Sequence, residues 1–186
     1  MRASLELARA CTATGAALVA TGTAIDRAGS PADAYSASKA ALWRAFAPAV
    51  IAHELTWVRP YYVFDPERRR PALVAHALAA RAAGRPVALR TPDSEHDFIH
   101  AADVGLAIVE AVRHDLRGEV PIGSGRLRRV QDLIAALGIP WVAEGEPQTG
   151  GVEHLGEAAD TSRLGAVGWA PERTNALFAS RPGTEH

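Results

Sequence analysis

Tyr35-Ser-Ala-Ser-Lys39 is the stretch from which the rest of the chain can be read. Among the 20 Lys and Arg residues only Lys39 is a lysine, and it stands four residues after a tyrosine. On a helix, positions i and i+4 share a face, about one turn apart. The spacing therefore sets a phenol and an ammonium side by side. A nearby cation favours the phenolate and draws a tyrosine toward the working range of a general acid or base. An ammonium with three rotatable donors can also hold sugar hydroxyls. The plain alternative is a solvated Tyr and Lys on a helix surface, and the spacing alone leaves both readings open.

Working outward, Ala17-Leu-Val-Ala-Thr-Gly-Thr23 reads as a buried strand running into a polar turn. A hydroxyl at a strand's C-terminal end, followed by a Tyr/Lys helix, resembles the Ser/Thr-Tyr-Lys arrangement of the short-chain dehydrogenases. The order and spacing resemble the extended branch of that family, the NAD-dependent epimerase/dehydratases. Four further landmarks follow in the family's order. Val58-Arg-Pro-Tyr-Tyr-Val-Phe-Asp-Pro66 resembles its Arg-Pro segment, and His96-Asp-Phe-Ile-His-Ala-Ala-Asp-Val104 its Arg-Asp-Phe-Ile-His-Val-Asp-Asp-Val motif. Pro121-Ile-Gly-Ser-Gly125 resembles the Asn-Ile-Gly-Ser-Gly that comes next, and Asp160-Thr-Ser-Arg-Leu with Gly168-Trp-Ala-Pro171 the closing helix and turn.

The resemblance implies roles. Thr23 would hydrogen-bond a substrate carbonyl or hydroxyl, with Thr21 as its replacement if the register is off. Tyr35 would be the general acid or base. Lys39 would tune Tyr35 and, with Tyr35 and Pro60, meet an NAD or NADP cofactor. Thr23, Tyr62 and His96 would meet the substrate. Dehydratases of the family place an Asp-Glu pair after the Thr; Ala24-Ile25 stands there instead, which favours epimerisation or carbonyl reduction over elimination. His96 replaces an Arg that commonly binds a nucleotide diphosphate, and lacks its bidentate fork. A sugar nucleotide or a smaller carbonyl or hydroxyl compound is the expected substrate. Arg59 is expected to make a structural contact at its strand end, and Asp97 and His100 to act as hydrogen-bond partners in their loop.

The family opens with a Gly-rich turn between its first strand and helix, which lets a pyrophosphate approach the backbone. No such turn occurs early in this chain. The expectation is thus a resemblance to the family's C-terminal two thirds, without its N-terminal cofactor-binding half. Ala16–Ala20 would then present an unpaired apolar edge, calling for a homo-oligomer or a complementing N-terminal half. A gene fragment, half of a split enzyme and a non-catalytic partner protein stay open as alternatives to an active enzyme.

Composition narrows the class. A hydrophobic fraction of 48% with a net charge of −1 suits a soluble globular protein and gives no electrostatic footprint for nucleic acid. One cysteine, Cys11, excludes an internal disulfide framework and suits a reducing cytoplasm. No apolar run reaches a membrane span, and the mixed charges near Met1 do not read as a signal peptide. His96, Asp97, His100 and Asp103 could be read as a metal site, but Asp97 and Asp103 read more simply as loop bonding and a helix cap, so no metal is expected. Gly123-Ser-Gly125 is not the Gly-x-Ser-x-Gly of a nucleophile elbow.

Strands alternating with helices predict an α/β fold: a partial Rossmann-like parallel sheet with a small C-terminal substrate-binding lobe. Residues 1–66 form the catalytic part of the sheet, and 67–186 mainly the lobe, returning one strand near 119–123. Strands are expected at Ala16–Ala20, Thr56–Arg59, Pro86–Arg90 and Glu119–Gly123. Helices are expected over 3–11, from Tyr35 toward His53 with a kink or early end at Pro48, over Pro71–Ala83, from an Asp103 cap to Arg113, over Val130–Leu137, and from an Asp160 cap to Val167. Arg68-Arg-Arg70 reads as a solvated helix start, and Glu144–Gly151 as a Gly-rich loop.

Overall fold

The computed structural model describes residues 2–27, 33–67, 73–145 and 157–180. In chain order the elements are α1 (Arg2–Thr14), β1 (Val19–Thr21), a short 3-10 helix (Ala24–Arg27), α2 (Ala34–Ile51), β2 (Thr56–Pro60) and β3 (Tyr62–Phe64). Then come α3 (Leu73–Ala82), β4 (Val87–Leu89), β5 (Glu95–His96), β6 (Phe98–His100), α4 (Ala101–Arg113) and β7 (Gly118–Ile122). The chain closes with β8 (Arg128–Arg129), α5 (Val130–Ala136), β9 (Trp141–Ala143), α6 (Ser162–Ala166) and α7 (Glu172–Ala179). Arg68-Arg-Arg70 and most of the Glu144–Gly151 loop lie outside the described residues.

The chain divides into two compact units. The first comprises Met1–Tyr61, Gly105–Ile122 and Asp160–Trp169. It is built on a three-stranded parallel sheet in the order β1-β2-β7. The three strands expected from 16–20, 56–59 and 119–123 thus share one parallel sheet. The central strand β2, Thr56-Trp-Val-Arg-Pro60, is buried from Thr56 through Arg59, as a β-branched and aromatic strand covered on both faces should be. β7 alternates buried and half-buried residues and carries Pro121; proline lacks a ladder donor and is tolerated at an edge. The core joins Phe46, Val50, Leu55 and Trp57, with Leu5, Leu18, Ala20, Leu42 and Trp43 packed against it.

The second unit comprises Tyr62–Val104, Gly123–Ala159 and Ala170–His186. Its strands are short and pair two by two: β3 with β6 and β4 with β9 in parallel, β5 with β8 antiparallel. A separate core holds Phe64, Val74, Ala77, Val87, Leu89, Phe98, Leu133, Ile134 and Ile139.

Several expectations are corrected. β1 is three residues, shorter than Ala16–Ala20, so the edge it presents is short, and Leu18 and Ala20 pack against the core of the first unit. Pro48 does not end α2 early: it lies in the last turn, and the Ala52 N–H still reaches its carbonyl. Asp103 is not a cap. It sits inside the first turn of α4, almost wholly buried, and accepts from the Arg173 N–H, the Thr174 N–H and the Thr174 hydroxyl. The Asp160 carboxylate does accept from the Ser162 N–H at the start of α6.

Candidate functional site

The site elements of the first unit follow from the turn after β1. Thr21 ends that strand, and Gly22 and Thr23 lead into the 3-10 helix Ala24–Arg27, against which α2 packs. α2 is started by Asp33, whose carboxylate accepts the Ser36 N–H at 2.7 Å; an aspartate at the N-cap satisfies an otherwise orphaned donor. That bond holds the Asp33 carboxyl below the usual carboxylate range. The cap places Tyr35 in the first turn and Lys39 one turn on. The two share a face: the Lys39 ammonium lies 5.8 Å from the Tyr35 ring centroid, within cation–π range. Lys39 Nζ also donates to the Thr21 carbonyl at 3.1 Å, tying α2 to the end of β1. An ammonium carries three donors, so this bond leaves it the capacity to meet ribose hydroxyls. Tyr35 is 55% exposed. Pro60, the last residue of β2, is in register with Ile122.

Thr23 is held at both ends of its backbone. Its N–H donates to Asp26 Oδ2 at 3.0 Å, and its carbonyl accepts from the Asp26 N–H at 3.1 Å and from Arg59 Nη1 at 3.4 Å. Asp26 and Arg59 form an ion pair, both almost fully buried. Arg59 continues to Glu119 on β7, with Nε 2.8 Å from Oε1, and its guanidinium stacks over Trp43 at 4.8 Å. Burial pushes the Asp26 carboxyl above its usual range, against the pull of the Thr23 N–H and of Arg59. A Cβ at Gly22 would collide with the Asp26 carboxylate and the Trp57 indole, so only glycine fits the turn. Arg59 is thus a structural residue, as its sequence position suggested. Asp26 is not among the residues the sequence singled out. A local signal existed for the Thr23 bond alone, since an acid three residues after a Thr can reach back to its N–H as in a capping box. Nor does Asp26 stand in for the acid of a dehydratase, because it is buried and committed to Thr23 and Arg59.

Tyr62 and His96 stand in the second unit, with ring centroids 4.0 Å apart. Burial pushes the Tyr62 phenol up, and His96 packs edge-on to Phe98 at 5.5 Å. Arg128 lies opposite His96 in the β5–β8 pair, stacks on Phe178 at 4.0 Å and donates to the Ser124 hydroxyl. Asp97 ties this unit together: one oxygen accepts the Ser124 N–H and hydroxyl, the other the Gly125 and Ala159 N–H groups. The Ala102 N–H donates to His100 Nδ1, and the His100 N–H to the Thr174 hydroxyl. Among the described residues no group of three or more His, Cys, Asp or Glu is placed to hold a metal ion, and no helix is long and apolar enough to cross a membrane.

No family model and no curated protein matches the chain. Solved structures do. The UDP-glucose 4-epimerase of Thermotoga maritima, solved with UDP-glucose, superposes with a TM-score of 0.70 at 19% identity, over 94% of this chain and 65% of its own. The UDP-N-acetylglucosamine 4-epimerase of Methanobrevibacter ruminantium gives 0.67 at 16%, over 96% and 66%. The UDP-glucose 4-epimerase of Thermus thermophilus, in complex with NAD, gives 0.63 at 24%, over 90% and 63%. The chain spans about two thirds of the length of these structures. At such identities the likeness defines the fold: the chain has the Rossmann-like α/β architecture that these epimerases share.

The same alignments correct the expectation of a chain without the cofactor-binding half. They take in 90% to 96% of the chain, so the likeness includes its N-terminal region, and the Rossmann-type part is present as β1, α2, β2 and β7. The physical reason is that a Gly-rich turn is one local signature of the fold. Parallel strand–helix–strand packing rests on apolar strands and a covering helix, and this chain supplies both.

Proposed function

We propose that the chain is a member of the extended short-chain dehydrogenase/reductase family that uses NAD or NADP to epimerise or reduce a small substrate at a hydroxyl or carbonyl carbon. The observation that carries this reading is the tie among Tyr35, Lys39 and the end of β1, with Lys39 beside the Tyr35 ring and bonded to the Thr21 carbonyl. In this reading Tyr35 moves the proton of the substrate oxygen, and Thr23 orients that oxygen. Lys39 holds the cofactor's ribose, and Pro60 borders the cofactor. A bound nicotinamide would supply hydride acceptance and donation. The solved neighbours named with UDP-sugars and NAD support the substrate and cofactor class. Tyr62 and His96 are the proposed substrate contacts of the second unit. A flat aromatic pair suits a planar base or a sugar face better than a diphosphate, because neither group carries a permanent positive charge.

The test is turnover: oxidation of NADH or NADPH followed at its absorbance maximum against a panel of small ketones, aldehydes and keto-sugars for reduction, and interconversion of epimeric sugars followed by NMR for epimerisation, which consumes no cofactor net. Turnover that disappears in Tyr35→Phe, with the fold intact by circular dichroism, supports the reading. Turnover unchanged in that variant removes Tyr35 from the chemistry.

A further inference from the structure

We infer that Asp26 and Arg59 are positioning residues for Thr23: a buried ion pair that clamps both sides of the Thr23 backbone and so aims its hydroxyl. The inference rests on the reading of Thr23 as a substrate contact, but the clamp itself is tested without substrate.

The turn around Thr23 has no strand ladder to hold it beyond the Gly22 N–H, which donates to the Val58 carbonyl. One residue later the chain leaves the sheet. A hydroxyl that must meet one substrate oxygen has to be held within about half an ångström of its working place, and a free turn does not achieve that. Here the Thr23 N–H is taken by the Asp26 carboxylate, and its carbonyl accepts from the Asp26 N–H at 3.1 Å and, at 3.4 Å, from Arg59. Those two side chains are bonded to each other, and Arg59 is braced by Glu119 on β7 and by the face of Trp43 on α2. The clamp thus refers the position of Thr23 to two strands and to the helix that carries Tyr35 and Lys39.

A buried ion pair is an expensive way to build a strand end. Well-packed apolar groups of the same volume are often as stable or more so, so stability alone does not account for it. What apolar groups cannot do is accept the N–H and donate to the C=O of one residue. Gly22 fits the same account: its missing side chain is the space that Asp26 and Trp57 occupy.

The experiment is amide hydrogen exchange by NMR on the full chain, comparing wild type with Asp26→Ala. Because Arg59 loses a buried partner, protection falls throughout the unit; the expected result is a fall at Thr23 about tenfold larger than at Val58 and Val120 in the sheet, the equivalent of one hydrogen bond. Thr23 protection equal to wild type overturns the clamp. An equal fall at Val58 and Val120 also overturns it, since the pair would then serve overall stability. If Asp26→Ala fails to fold, Asp26→Asn decides: its neutral acceptor should move the Thr23 amide proton upfield while the Tyr35 and Lys39 amides stay in place, and no movement refutes the clamp. In a turnover assay Asp26→Asn should lower kcat with KM for the cofactor unchanged, and a changed KM with unchanged kcat contradicts the positioning role. A wild-type chain without turnover removes the functional reading and leaves the amide result to decide the clamp.

Discussion

Asp97→Asn replaces one carboxylate oxygen by an NH2 group, and the geometry around Asp97 makes that change severe. Each oxygen faces two donors: Oδ1 the Ser124 N–H at 2.6 Å and its hydroxyl at 2.7 Å, Oδ2 the Gly125 N–H at 3.0 Å and the Ala159 N–H at 2.9 Å. An asparagine has one acceptor oxygen. Whichever way its amide is turned, its NH2 points at two donors, and at least one backbone N–H is left facing it. Asp97 is 1% exposed, and a Cβ at Gly123 would collide with Asp97 and with Ala159, so the side chain has little room to turn away. Each unsatisfied buried donor costs about 1–3 kcal/mol. With the NH2 turned toward Ser124, whose hydroxyl can rotate to accept, one backbone donor is stranded and the remaining bonds lose their charge, an expected loss of about 3 kcal/mol and a large share of the roughly 5–15 kcal/mol of a typical domain. Urea unfolding followed by circular dichroism reads the loss, with m unchanged if the denatured state is unaltered. Amide exchange should show it first at Ser124, Gly125 and Ala159. A loss below about 1 kcal/mol would refute the reasoning, because it would mean that water repairs the donors.

Two further outcomes are expected. Thr174→Val removes the hydroxyl that donates to Asp103 at 2.6 Å and accepts from the His100 N–H at 2.9 Å; about 1–3 kcal/mol should be lost and largely restored in Thr174→Ser, as measured by denaturant midpoint. Asp33 is held below its ordinary value of 3.8 by the Ser36 N–H, so its cap is fully present above that pH and is lost as pH falls through the lower folded value; Ser36 exchange protection in α2 should drop over that acid range, and should not depend on pH in Asp33→Asn.

The sheet of the first unit was legible because its strands are written in apolar and β-branched residues: Leu18-Val19-Ala20 and Thr56-Trp57-Val58 each announce a strand whatever surrounds them. The face shared by Tyr35 and Lys39 was legible because helical geometry is local. In the second unit the helices α3 and α5 and the strand β4 were legible, but the other strands were not. Strands of two and three residues such as β5, β6 and β8 are too short to show a period, and they exist because distant segments pair with them. Asp103 illustrates the same limit: a carboxylate in a first helical turn reads as a cap, but its donors are Arg173 and Thr174, about seventy residues away. Asp26 was hidden for a different reason. Its meaning depends on Arg59, and nothing in the order of residues says that the end of β2 lies beside the turn after β1.

If Tyr35 and Lys39 form the proposed nicotinamide-dependent site, fluorescence titration of the full chain with NADH and NADPH reads it without any substrate. The expected result is saturable binding to wild type, weakened about tenfold or more in Lys39→Met by loss of a charged donor to the cofactor. Absence of binding to the wild-type chain, or equal affinity in Lys39→Met, would contradict it.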